Sequence, residues 1–278
     1  MSHTIDPQAL FTVRGKTAVI TGGSGVLGAA MARALAQAGA RVAVASRTLQ
    51  SCQQVAGAIQ AGGGEAIGVA CDVTDHASLE QALAQVTAAF GPVDILVNAA
   101  GGNRPGATVA PESNFFALDN QAIDDVFALN FSGTLRACKV FGRVMAERRQ
   151  GCIVNIASMA ALRPLTRVVA YAAAKAAIVN FTQWLAVYMA QEYGADIRVN
   201  AIAPGFFLTE QNRYLLTDAQ TGDYTPRGQT ILAHTPAGRL GEPEDLVGTL
   251  LWLVSPASAF ITGIVVPVDG GFSAFSGV

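Results

Sequence analysis

The strongest constraint on the fold is a rhythm of short, nearly unbroken apolar runs separated by longer stretches of helical spacing. The runs at residues 16–21, 41–46, 66–71, 94–98, 152–157, 197–202 and 264–268 read as strands. Residues 26–38, 77–90, 121–148 and 170–192 read as helices. Strands that are apolar on both faces belong to a parallel sheet covered by helices on either side. Repeated strand–helix–strand units therefore predict a doubly wound α/β architecture, a seven-stranded parallel sheet of the Rossmann type. In such sheets ligands sit beyond the carboxyl ends of the strands.

At 278 residues the chain has the length of one such domain, and no linker or internal repeat divides it. The stretch 210–237 differs: it is polar, carries Gly222, Pro226, Gly228 and Pro236, and follows a strand end. Excursions of that kind serve as lids or binding loops, here expected over a substrate. A net charge of −2 without basic clusters argues against nucleic acid as the partner. No apolar run reaches membrane-spanning length, and no apolar leader precedes the first strand, so no membrane partner is expected. Cys52, Cys71, Cys138 and Cys152 lack metal-type spacing and read as buried thiols of a reducing cytoplasm. With only His3, His76 and His234 as imidazoles, no metal site is expected.

The first strand runs into Thr21-Gly22-Gly23-Ser24-Gly25-Val26-Leu27-Gly28. Gly23, Gly25 and Gly28 satisfy G-x-G-x-x-G, a turn that lets a pyrophosphate approach backbone N–H groups at a positive helix end. The second strand ends in Ser46 and Arg47, where an acidic residue would select a ribose 2′-hydroxyl. A guanidinium there suits a 2′-phosphate, so NADP is favoured with NAD as the alternative; Arg47 can equally be a solvated charge. Asp72 follows the third strand, placed either to meet an adenine edge or to cap the next helix, and Asn98-Ala99-Ala100-Gly101 follows the fourth.

Tyr171 and Lys175 lie one turn apart on one helix face, which Ile178, Phe181 and Leu185 continue as core. A phenol with an ordinary pKa near ~10 is a poor base at neutral pH, and a neighbouring ammonium favours its phenolate. Ser158, at the end of the fifth strand, is a suitable donor to a carbonyl oxygen.

Together these elements resemble the short-chain dehydrogenase/reductase family in its compact single-domain branch. The matching positions are Thr21–Gly28, Asp72, Asn98–Gly101, Asn130, Ser158, Tyr171-x-x-x-Lys175 and Pro204-Gly205-x-x-x-Thr209. The resemblance implies that Tyr171 exchanges a proton with the reacting oxygen, that Ser158 orients that oxygen, and that Lys175 lowers the Tyr171 pKa and holds the nicotinamide ribose. It implies a water on Asn130 linking Lys175 to solvent, and Thr209 on the carboxamide. It places the cofactor along Gly22, Gly23, Ser24, Gly25, Val26, Leu27, Ser46, Arg47, Asp72, Val73, Asn98, Ala99, Gly101, Pro204, Gly205 and Phe207. One departure is Val26, where the branch usually has glycine.

Within the family, residues 204–213, 234–239, 101–105 and the C-terminal end resemble sugar-acid oxidoreductases of the D-fructuronate/D-mannonate type. A sugar acid needs a cation and many polar partners, and Asn103, Arg104, Arg163, Gln211, Asn212 and Arg213 fall beyond strand ends. Arg213, then Arg104, is the expected carboxylate clamp; Arg213 can equally be an exposed charge on a loop. The alternatives are an enoyl- or ketoacyl-thioester reductase and, in another class, an idle nicotinamide-sensing or structural member. The resemblance further implies a homotetramer. Helices 121–148 and 170–192 carry surplus apolar surface, and the tail 272–278 is apolar enough to pack on a neighbouring subunit.

Overall fold

Parallel strands cannot be joined by hairpins, so each must be reached by a crossover, and the chain spends most of its helices on that task. The structure is a computed structural model that describes residues 6–110, 113–209, 213, 216–218 and 221–277. A single turn, α1 (Pro7–Leu10), leads into β1 (Thr17–Thr21), α2 (Val26–Gln37), β2 (Arg41–Ser46), α3 (Leu49–Ala61) and β3 (Glu65–Ala70). Next come α4 (His76–Phe90), β4 (Ile95–Asn98), α5 (Asn120–Phe127), α6 (Gly133–Arg148) and β5 (Gly151–Ile156). The chain ends with α7 (Val169–Glu192), β6 (Ile197–Pro204), α8 (Pro226–Ala233), α9 (Val247–Val254) and β7 (Val265–Val268).

The seven strands form one sheet in the order β3-β2-β1-β4-β5-β6-β7, with every pairing parallel. The predicted single-domain Rossmann architecture is the one observed. Because strand side chains alternate, each strand feeds two cores. Ile20, Val42, Val44, Val97 and Val154 meet Met31 and Leu35 of α2 and Leu250 and Leu253 of α9. Val19, Ala43, Leu96 and Ile153 meet Leu79 of α4, Phe141 and Met145 of α6, and Leu185 of α7. Both faces are dry, which explains why the strands read as continuous apolar runs.

The strand order reverses between β1 and β4, and their carboxyl ends diverge beside one another at Thr21 and Asn98. That opening is where a cleft forms. At the opposite end of the sheet Asp94 accepts from the Thr17 amide at 3.0 Å and from Arg148 at 2.9 Å, tying β1, β4 and α6 together.

One expectation changes. The segment expected as one helix over 121–148 is instead α5 and α6 joined by a π turn, Ala128–Ser132. Asn130 lies in that turn: its Nδ2 donates to the Val126 carbonyl at 2.8 Å and to the Gly102 carbonyl at 2.7 Å. In the tail, Phe272 packs on Phe206 at 5.2 Å between ring centroids. All four cysteines are free and buried, and burial pushes the Cys71 and Cys138 thiols up to about 12. Among the described residues no helix is long and apolar enough to cross a membrane.

Phe141 is 0% exposed between the sheet and α4. Phe141→Ala is expected to lower the unfolding free energy by about 3–5 kcal/mol, measured by urea unfolding, because the cavity it leaves cannot collapse against a rigid sheet.

Candidate active site

The cleft at the strand ends has a volume of about 420 Å³. One end is built by the turn after β1. Gly22 takes φ +66°, and a Cβ there would stand 2.7 Å from the Ala99–Ala100 backbone. The turn therefore lies directly on the chain leaving β4, which only glycine permits. Gly28 sits against the Gly22 carbonyl, holding the first turn of α2 close beneath it. The N-cap of α2 is Gly25, with no side-chain cap and no acidic residue in the first turn. The amides at that helix end stay available to the cleft, so this end fits a phosphate group. Val26, the departure from the family pattern, begins α2 with its side chain at the cleft rim and does not disturb the turn. Gly23 does not line the cleft. It packs against β2, its amide donating to the Ala45 carbonyl at 3.1 Å, and a Cβ would meet the Ile20 carbonyl.

Farther along, Ser24, Ser46, Arg47, Asp72 and Val73 line the cleft. The Ser24 and Ser46 hydroxyls are 2.7 Å apart. Asp72 does not cap α4, a task performed by Asp75, whose carboxylate accepts from the Ala77 amide at 2.9 Å. Asp72 accepts from the Thr74 amide and hydroxyl at 2.9 and 2.7 Å. Partial burial raises its pKa, but those bonds and the nearby Arg47 charge outweigh it and leave the carboxyl below its usual value. Asn98 is buried under the cleft rather than lining it. Its Nδ2 donates to Asn155 Oδ1 at 2.9 Å, and Asn155 donates in turn to the Thr182 hydroxyl at 2.9 Å, so it couples β4, β5 and α7.

At the other end stand Ser158, Tyr171 and Lys175. Ser158 follows β5 and caps the short turn Met159–Ala161, accepting from the Ala160 amide at 3.1 Å. Tyr171 is half-buried and hydrogen-bonds with Ser158. Lys175 is only 4% exposed, and its Nζ donates to the Ile156 carbonyl at 2.8 Å. Asn130 does not line the cleft, but accepts from the Gly102 amide at 3.2 Å and fixes the wall facing Lys175. A Cβ on Gly101 would meet Asn130 Oδ1 at 2.7 Å and Lys175 Nζ at 3.1 Å.

Burial acts on both Tyr171 and Lys175. Burial raises the Tyr171 pKa, opposed only by the Ser158 hydrogen bond, while burial lowers Lys175 to about 8. The ammonium points at Ile156 and lies 5.6 Å from the tyrosine ring centroid, so desolvation outweighs its effect on the phenol.

Past β6, Pro204, Gly205, Phe207 and Thr209 line the cleft as expected, with Phe207 bridged to Gly241. The expected substrate residues are placed differently. Arg104 stands 3.8 Å from Asp125, and Asn103 donates to the Thr108 hydroxyl at 2.9 Å. Arg163 donates to the Ser273 carbonyl at 2.9 Å, and Arg213 is exposed. None of these four lines the cleft. Gln211 and Asn212 lie outside the described residues. Sequence reasoning missed Thr48, Cys71, Gly102, Leu129, Ile156 and Ala157, which complete the lining. Most of these contribute apolar surface or backbone, for which no residue type is diagnostic.

Sequence reasoning also passed over Arg167 and Arg227. Arg167 lies four positions before Tyr171, and Arg227 opens α8, which packs through Ile231 with Leu216 on Phe206 and Leu208. Burial lowers the Arg227 pKa, and the like charge of Arg167 lowers it further. Among the described residues neither has a carboxylate within ion-pair distance.

Residues 24–273 match the family described as Enoyl-(Acyl carrier protein) reductase. The chain is 51% identical over 273 residues to the uncharacterized oxidoreductase UxuB of Bacillus subtilis (strain 168), covering 95% of this chain and 97% of the relative. A crystal structure from Haemophilus influenza, provisionally assigned as a D-mannonate oxidoreductase and holding bound NAD, superposes with a TM-score of 0.90 at 43% identity, covering 98% and 100% of the two chains. A gluconate 5-dehydrogenase from Burkholderia cenocepacia, in complex with NADP and tartrate, gives 0.86 at 32% identity, covering 97% and 100%.

The depressed Lys175 pKa makes stability depend on pH. Its folded value is about 8 against an ordinary 10.5, so between these the unfolded chain binds more protons and stability rises with pH. From pH 7.5 to 9.5 the wild type should gain about 2 kcal/mol relative to Lys175→Met in denaturant unfolding. Equal slopes for the two proteins would show that the ammonium is not desolvated.

Proposed function

We propose that this chain, which belongs to the short-chain dehydrogenase/reductase family of oxidoreductases, catalyses reversible hydride transfer between a nicotinamide dinucleotide and a keto or hydroxy sugar acid of the D-fructuronate/D-mannonate type. The observation that carries this reading is one continuous cleft with an uncapped helix end and glycine turn at one extremity, and Ser158, Tyr171 and Lys175 at the other. When bound, the dinucleotide supplies or accepts the hydride. Tyr171, its pKa raised by burial, holds its proton at neutral pH and donates it to the carbonyl oxygen during reduction. In the oxidative direction Tyr171 first releases its phenolic proton to solvent, and the phenolate oxygen then takes the proton from the alcohol. Ser158, beside Tyr171, orients the reacting oxygen, and Lys175 would hold the ribose hydroxyls of a bound dinucleotide. Asn130 acts from outside the lining, by fixing Gly102 and hence the wall beside Lys175.

Arg47 and the paired hydroxyls of Ser24 and Ser46 favour NADP, with NAD as the alternative. The substrate class is supported by the relatives assigned to mannonate and gluconate chemistry. It is also supported by Arg167 and Arg227, two neighbouring cations without an acid, which suit a carboxylate. Like Arg213 they lie outside the cleft lining, and they are preferred to Arg104, which already faces Asp125. Subunit contact is assigned to the α7 face bearing Trp184, Val187 and Tyr188, all exposed, with Trp184 stacked on Tyr188 at 5.0 Å; the assembly is a homotetramer.

Tyr171→Phe should lower kcat/KM by about 10²–10⁴ while leaving dinucleotide affinity nearly unchanged. On a panel of hexuronates, aldonates, polyols and acyl thioesters, turnover is expected on sugar acids. Arg167→Ala and Arg227→Ala should raise KM there by roughly tenfold each, with little change for neutral polyols. Activity confined to thioesters overturns the substrate assignment. In sedimentation, the wild type should run as a tetramer at micromolar concentration and Trp184→Glu as smaller species; a monomeric wild type overturns the assembly.

A further inference from the structure

Cys52 has no part in the chemistry above, yet it lies directly under the end of the cleft where the two serines meet. It sits in the first turn of α3, 0% exposed, with its Sγ 2.9 Å from the Ser46 hydroxyl and 3.7 Å from the Ser46 carbonyl oxygen. The Ser46 hydroxyl is also 2.7 Å from the Ser24 hydroxyl, and Ser24 and Ser46 both line the cleft. Three groups, each with one proton and with lone pairs to accept another, therefore run in file from the buried face of α3 to the cleft.

Such a file has two fully bonded directions. In the first, the Cys52 thiol donates to Ser46, Ser46 donates to Ser24, and the Ser24 proton is left for an acceptor in the cleft. In the second, a donor in the cleft gives its proton to Ser24, Ser24 donates to Ser46, Ser46 donates to the Cys52 sulfur, and the thiol donates to the Ser46 carbonyl. The first presents a donor, which suits a phosphate oxygen, and Arg47 beside it adds a cation. The second presents an acceptor, which a ribose hydroxyl can meet as donor and an unprotonated phosphate oxygen cannot. No acidic side chain lies in the file to fix its direction.

We propose that Cys52 is a positioning residue that terminates a reversible hydrogen-bond relay, allowing this end of the cleft to receive either a 2′-hydroxyl or a 2′-phosphate of an adenosine ribose. This rests on the dinucleotide reading of the cleft. Removing the sulfur affects the two directions unequally. Without it, the hydroxyl-receiving direction leaves the Ser46 proton with no acceptor beneath the bound nucleotide. The phosphate-receiving direction loses only a weak thiol donor. A covered donor without an acceptor is the more expensive defect.

Titration calorimetry of the purified enzyme with NAD and with NADP tests the relay without reference to turnover. Cys52→Ala should weaken NAD by about fivefold or more relative to NADP, and Cys52→Ser, which keeps both a donor and an acceptor, should return the ratio to the wild-type value. In a Ser46→Ala background, where Cys52 is no longer linked to the cleft, Cys52→Ala should leave the ratio unchanged. Loss of affinity by the same factor for both nucleotides, or a shift toward NAD, overturns the relay and leaves the dinucleotide reading standing. Failure of the wild type to bind either nucleotide overturns both.

Discussion

The molecule is organised around one expensive group, the ammonium of Lys175, which is 4% exposed and has no carboxylate partner in any ion pair of the described residues. A buried cation persists only where the surroundings offer fixed dipoles or where it gives up its proton. Here the last carbonyl of β5, that of Ile156, accepts one hydrogen bond, and desolvation brings the pKa down to about 8. The wall opposite is set by Asn130, whose side chain reaches out of the π turn to both the amide and the carbonyl of Gly102. Gly101 lacks a side chain where one would strike both Asn130 and Lys175. The helix break, the glycine and the strand end are thus three consequences of holding one charge in one place.

The sheet provides the rest. Parallel strands all end at the same edge, and the reversal between β1 and β4 separates the connections that leave it. Gly22 then lies on the Ala99–Ala100 backbone, which joins the floor of the cleft to the exit from β4. Asn98, Asn155 and Thr182 connect β4 and β5 to α7 beneath that floor. The position of Tyr171 on α7 is accordingly registered to the glycine turn through buried hydrogen bonds. Substitutions in that network would act on catalysis by displacing α7, without any contact with a ligand.

Much of this was legible in the sequence because it depends on periodicity and spacing. The strands were readable since both faces are buried, and Tyr171 and Lys175 since a four-residue interval fixes their common face. What escaped depends on side-chain choices that spacing does not determine. The helix expected through 121–148 could not reveal its π turn, where Asn130 bonds to Gly102, 28 positions away in sequence. Gly23 and Asn98 belong to familiar signatures, yet their contacts are with neighbouring strands. The coupling between Lys175 and Tyr171 was read as phenolate-stabilising, but burial acts oppositely on the two groups and dominates both. Arg104 stands 3.8 Å from Asp125, a neighbour that its position beyond a strand end does not reveal.

The two ends of the cleft differ in how they are made, and that difference bears on specificity. Around Gly22, Ser46 and Lys175 the lining comes from strand ends and first helical turns, whose backbone bonds hold them in register. The approach to α7, which carries Arg167, and α8, which carries Arg227, lie outside that lining, and α8 rests on a small separate cluster around Leu216, Ile231 and Leu240. Arg167 acts repulsively on Arg227 across that region, and no described carboxylate relieves it. In the proposed reading, a ligand carboxylate between them would offset that like charge and gain charge-assisted bonds. A neutral substrate gains neither. Recognition of the acid group then resides in one cation ahead of α7 and one in the first turn of α8, while the hydride-transfer geometry stays with the sheet. On that reading, substitutions at Arg167 and Arg227 would change the substrate range without disturbing the buried ammonium of Lys175.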